Sequence, residues 1–144
     1  MHGFTKAILA LGIWSVLGQA QADAAAGKDL QGTWIAVQAR RDGSSADDTV
    51  GNRLSFTGRY FAIQSKDGKT LYAGTITLDP GALPPAIDFE HTEGVLRGHT
   101  WQGIYALDGD SLTICDDAPD VAQPRPAAFD ANDGYIVLTF RRAK

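Results

Sequence analysis

Apolar and polar residues alternate along most of this chain in short runs broken by glycine-containing turn pairs. That is the two-residue period of half-buried strands, not the roughly 3.6-residue period of helices. Register follows from the turns, because residues directly opposite in an antiparallel pair share a face. With Asp67-Gly68 as a two-residue loop, Ile63 stands opposite Tyr72 and Phe61 opposite Gly74, an aromatic ring over a glycine. A turn at Gly58-Arg59 pairs Phe56 with Phe61 and Leu54 with Ile63. Leu54, Phe56, Phe61, Ile63, Tyr72, Ile76 and Leu78 then share one face across three strands.

The second half of the chain reads the same way. A loop at Gly109-Asp110 sets Leu107 opposite Leu112 and Tyr105 opposite Ile114, with Trp101 on that face by parity. A loop at Asp133-Gly134 sets Phe129 opposite Leu138, with Ile136 and Phe140 inside and Tyr135, Val137 and Thr139 outside. Strands over Trp34 to Ala39 and over Ala86 to Glu90, the latter with Ile87 and Phe89 inward, complete an all-β set of about eight to nine strands. Sequential hairpins with one apolar face close most simply into an antiparallel up-and-down barrel, which removes exposed edges; a sandwich is the competing architecture.

The first residues depart from this pattern. Met1 to Ala22 has a basic start (His2, Lys6), an apolar run from Ala7 to Leu17 and an A-x-A site at Ala20 and Ala22, the marks of a secretory signal peptide. The run is too short to span about 30 Å of hydrocarbon, and no later segment reaches the roughly 20 apolar residues of a membrane span. Cleavage after Ala22 predicts a periplasmic or secreted protein beginning at Asp23, with a flexible leader over 23–29 and one domain over 30–144. It also removes Lys6 from a chain of formal net charge −4. With no basic run longer than Arg40-Arg41 or Arg141-Arg142, nucleic acid is not an expected partner. The single cysteine, Cys115, leaves stability to the core and not to an internal disulfide.

Several segments together resemble a family of small exported bacterial domains, abundant in planctomycetes, of lipocalin-like fold and unassigned function. They are Leu30-Gln31-Gly32-Thr33-Trp34, Ala86-Ile87-Asp88-Phe89, the run from Gly103 to Cys115, and Arg125-Pro126 followed by Phe129. The resemblance implies a small calycin-type barrel and a secretory habit, and no activity. Gly32-x-Trp34 also looks like the G-x-W signature of the wider lipocalin group, in which the tryptophan plugs the closed end under an arginine from the last strand region. Arg141 and Arg142 both stand in place for that structural role, and Arg142 shares the inward parity of Phe140.

Candidate chemistry is sparse. Cys115 falls at outward parity opposite Ile104 beside Asp116 and Asp117, which raise a thiol pKa and favour a structural reading. His91, His99, Asp88, Glu90 and Glu93 match no short metal-binding spacing and read as solvated loop residues, as does the acidic group Asp116, Asp117 and Asp120. Asp88 and Glu90 alternate with Ile87 and Phe89, which points both carboxylates outward. No nucleophile, phosphate-loop or zinc-protease motif occurs, and neither a cofactor nor a metal is expected. The interior remains, with Phe56, Phe61, Ile63, Tyr72, Phe89, Trp101, Tyr105 and Leu107 as the candidate ligand-binding lining. The expectation is a non-enzymatic extracytoplasmic protein holding a small hydrophobic molecule in the barrel. The alternative is an interaction or inhibitor module that contacts an envelope protein through its loops, and a packed interior would favour it.

Overall fold

The computed structural model describes residues 27–121 and 123–144. Residues 1–22, which the sequence pattern marks as a candidate signal peptide, and residues 23–26 lie outside the described residues. Residues 27–30 form a helical turn that delivers Leu30, fully buried, to the first strand. The strands are β1 (Gly32–Arg41), β2 (Ser44–Ser45), β3 (Arg53–Thr57), β4 (Tyr60–Gln64), β5 (Thr70–Asp79), β6 (Ala86–Glu93), β7 (Thr100–Asp108), β8 (Ser111–Asp116) and β9 (Ile136–Arg142). Apart from the short β2, which folds back antiparallel on the end of β1, each strand pairs antiparallel with the next around the barrel, and β9 returns to β1. The result is a closed eight-stranded barrel plus one extra strand, the lipocalin-like architecture; closure leaves its eight strands without an unpaired edge. No helix among the described residues is long and apolar enough to cross a membrane.

The registers derived at the turns are those observed: Leu54 with Ile63, Phe56 with Phe61, Ile63 with Tyr72 and Phe61 with Gly74. Tyr105 pairs with Ile114 and Leu107 with Leu112. One hairpin does not form. Phe129 is not opposite Leu138 inside the barrel; it is 39% exposed in an irregular segment. The reason lies in β9, whose two edges are already taken: Leu138 pairs with Ile114 of β8 on one side and Ala39 of β1 on the other. No ladder is left for a strand before Asp133-Gly134, although Asp133 (φ 59°) and Gly134 (φ 88°) do adopt the positive-φ geometry of the expected turn.

The segment 117–135 instead packs against the outside of the barrel. Arg125 donates to the Gly103 carbonyl at 2.8 Å and pairs with Asp88 at 2.8 Å. The Tyr135 hydroxyl donates to the Pro124 carbonyl. Cys115 and Ile104, both of outward parity, are buried, and the Cys115 thiol faces the Asp130 carbonyl at 3.8 Å.

Trp34 closes one end of the barrel. It is fully buried, its Nε1 donates to the Leu30 carbonyl at 2.9 Å, and the Arg142 guanidinium lies over its ring at 4.2 Å. Arg142 also donates to the carbonyls of Gln31 and Asp29 and pairs with Asp110. Of the two candidate arginines it is therefore Arg142 that stacks, while Arg141 is exposed. Gly32 opens β1 at φ +113°, a conformation that disfavours a side chain.

Gly74 fills a second special position. The pairing of β5 with β6 shifts between Ala73 and Gly74, leaving Thr92 as an extra residue, and a Cβ at Gly74 would collide with the Glu90 carbonyl oxygen. Gly74→Ala should accordingly lower stability by about 3 kcal/mol, the upper end of overpacking costs. Chemical denaturation checks this, and a loss below about 0.5 kcal/mol would show that the bulge relaxes freely.

Candidate functional site

Chain direction sorts the connections between the two ends of the barrel. β1 runs away from Trp34, so the connections 42–52, 65–69, 94–99 and 117–135 gather at the opposite, open end. A cavity of about 320 Å3 sits there. Its apolar walls include Leu54, Ile63, Tyr72, Phe89, Trp101, Ile114, Leu138 and Phe140. Its polar mouth is formed by Arg41, Asp48, Thr49, Asn52, Arg53, Ser65 and Asp116. The volume lies at the small end of the roughly 300 to 1,000 Å3 usual for small-molecule sites.

Half of the candidate lining residues meet this space: Ile63, Tyr72, Phe89 and Trp101. Phe56, Phe61 and Tyr105 are buried in the same core cluster without bordering the cavity, and Leu107 packs against that cluster from the closed half. The interior is thus solid toward Trp34 and hollow toward the open end.

The polar mouth has a definite construction. Arg41 and Asp116 are both partners of Ile136, one on each side of β9, so the three lie at one level across neighbouring strands. Next to Asp116 is Gly103, where a Cβ would stand 3.3 Å from the Asp116 Cβ; the missing side chain makes room for the carboxyl. Asp116 is 3% exposed, and its Oδ1 accepts from the Ala118 amide at 3.0 Å. Burial pushes this carboxyl up to about 7; Asp117 raises it further, while the Ala118 amide and Arg41 draw it down. Arg41 is held by a 2.8 Å bond from Nη2 to the Ala118 carbonyl.

Asp116 and Asp117 are consequently not solvated turn residues, and only Asp120 of that acidic group is exposed. Continuing the parity of Leu112 and Ile114 by one more step would have placed Asp116 inside. Arg41 carried no such signal, because an irregularity between Ala36 and Gln38 shifts the inward set of β1 to Ala39 and Arg41.

His91 is likewise not a solvated loop residue. It continues the inward parity of Ile87 and Phe89, is 1% exposed, and is ringed by Trp101, Phe61 and Tyr72 at centroid distances of 4.2, 5.4 and 5.6 Å. Neither of its ring nitrogens has a hydrogen-bond partner, and burial, then His99, lowers its pKa to about 4, so it is neutral at ordinary pH. The buried Trp101 Nε1 is also without a partner. Cys115 is pushed up to about 11, first by burial, which leaves a protonated, weakly nucleophilic thiol. Among the described residues no group of three or more His, Cys, Asp or Glu side chains could hold a metal ion. No family model, no curated protein and no solved structure matches this chain.

Proposed function

We propose that this protein is a non-enzymatic extracytoplasmic barrel that binds a small, largely apolar molecule in the cavity at its open end. The observation that carries the reading is the cavity itself: about 320 Å3, walled by Tyr72, Phe89 and Trp101 and opening past a polar rim. A protein whose function lay only in its loops would have no need to leave aromatic surface uncovered inside its core, where packing is otherwise close. The non-enzymatic reading is supported by His91, which is enclosed by rings and does not border the cavity, and by the protonated Cys115. The extracytoplasmic reading rests on the signal-peptide pattern of Met1 to Ala22.

Covering about 100 to 200 Å2 of apolar ligand surface contributes roughly 2.5 to 5 kcal/mol before association entropy, so weak affinities, on the order of millimolar, are expected for a purely apolar guest. The neutral dye N-phenyl-1-naphthylamine should brighten on binding and be displaced by 4-phenylbutan-1-ol. Tyr72→Ala should change the dye affinity several-fold, whereas Tyr60→Ser, at a side chain 67% exposed, should leave it unaltered. A folded protein that takes up neither molecule would transfer the function to the loops, as an envelope-protein interaction or inhibitor module.

A further inference from the structure

The hydrogen-bonding groups of the cavity are unequal in kind, and the inequality selects among ligands. Trp101 borders the cavity with its ring, while its Nε1–H is enclosed and not offered to a ligand. Arg41 borders it too, and its charge is unmatched at contact distance: the ion pairs among the described residues are Arg125 with Asp88 and Arg142 with Asp110. One of its nitrogens serves the Ala118 carbonyl, which leaves further donors of the planar fork unassigned. Asp116, buried and raised to about 7, is a second donor whenever it carries its proton. At and below neutral pH the inner part of the mouth therefore offers donors and one fixed positive charge. The exposed rim residues Asp48 and Arg53 are of opposite sign and add no net charge.

We infer that the cavity takes a small organic acid, its apolar body against Trp101, Phe89 and Tyr72 and its carboxylate at the mouth between Arg41 and Asp116. The inference rests on the cavity being a binding site. A carboxylate matches the guanidinium fork in shape and charge, and it can accept from a protonated Asp116 at the same time. An organic amine would meet Arg41 as a like charge. An alcohol would occupy the apolar walls and leave the Arg41 charge unanswered. The volume lies at the small end of the range for small-molecule sites, which suits a compact acid.

The test is calorimetric titration of the folded protein with three molecules of one skeleton: 4-phenylbutanoic acid, 4-phenylbutan-1-ol and 4-phenylbutan-1-amine. The acid should bind about tenfold more tightly than the alcohol near pH 6, and the amine most weakly. The acid's advantage should shrink toward pH 8 as Asp116 ionises. The charged groups acting on Asp116 are Asp117 on its own segment and Arg41 on β1; Asp48 and Arg53 stand at the rim of the cavity, and β7 and β9 present Gly103 and Ile136. Arg41→Met should level the acid with the alcohol, Arg41→Lys should restore part of the preference, and Asp116→Asn should keep it while flattening its pH dependence. Equal binding of acid and alcohol, or tighter binding of the amine, overturns the organic-acid assignment and leaves the cavity reading standing. Binding of none of the three overturns both.

Discussion

Trp34→Ala should cost about 3 to 5 kcal/mol, the largest single loss expected from any side chain of this barrel. Trp34 is fully buried, and its removal leaves a void bordered by Leu30 while stripping the Arg142 guanidinium of the ring it covers at 4.2 Å. Arg142 bonds the Gln31 and Asp29 carbonyls at 2.7 and 2.9 Å, so loss of the ring also loosens the turn that leads into β1. Arg142→Lys should cost less, about 1 kcal/mol, because an ammonium keeps the charge but neither the flat stack nor the fork. Denaturant unfolding reads both values, with an unchanged slope expected for each variant. A loss below about 1 kcal/mol for Trp34→Ala would mean that the closed end does not hold the barrel together.

Two buried titratable groups should pull stability in opposite directions with pH. Asp116 is raised from 3.8 to about 7, first by burial, so its contribution is fully present below its ordinary value and is lost as pH rises through about 7. His91 is lowered from 6.5 to about 4, again first by burial, so its contribution is present above 6.5 and is lost as pH falls through about 4. At about 1.4 kcal/mol per pH unit these effects amount to roughly 4 and 3 kcal/mol, and they nearly offset each other between about pH 4 and 7. Substitution should expose each one. Relative to the wild type, Asp116→Asn should lose about 4 kcal/mol on acidification across that range, and His91→Phe should gain about 3. Other carboxylates titrate in all three proteins and drop out of the differences. Stability curves that stay parallel would show that neither group is as buried as the packing places it.

The barrel was legible in the sequence because its turns are short. A two-residue loop fixes register, and once Asp67-Gly68 or Gly109-Asp110 is placed, alternation decides which face every neighbouring residue takes. Closure was the simplest reading of that alternation, with a sandwich as its rival, and the Trp34 plug came from the likeness of Gly32-x-Trp34 to the lipocalin signature. What escaped was of two kinds. Phe129 was misplaced because a turn pair shows that the chain reverses, not that a free ladder awaits it; β8 and β1 already occupy both edges of β9. Arg41, Asp116 and His91 were missed because an inward polar residue breaks the hydrophobic pattern that finds strands. Asp116 and His91 could have been reached by carrying parity to the strand ends. Arg41 could not, since the shift in β1 has no mark in the sequence. The aromatic walls of the site were thus readable, and its polar mouth was not.

If the open half of this barrel is binding space and the closed half is core, as proposed, the two buried indoles report on the two halves separately. Trp101 borders the cavity with an unpartnered Nε1–H, whereas the Trp34 Nε1–H is bonded to Leu30 at 2.9 Å behind Arg142. In a nitrogen-15 NMR titration with 4-phenylbutan-1-ol, the Trp101 indole signal should shift progressively to saturation, together with the amides of Tyr72 and Phe89, while the Trp34 indole signal stays in place. Saturable shifts confined to residues on the outer surface, or a Trp101 indole signal that does not move at ligand concentrations of several millimolar or about tenfold higher, would contradict that assignment.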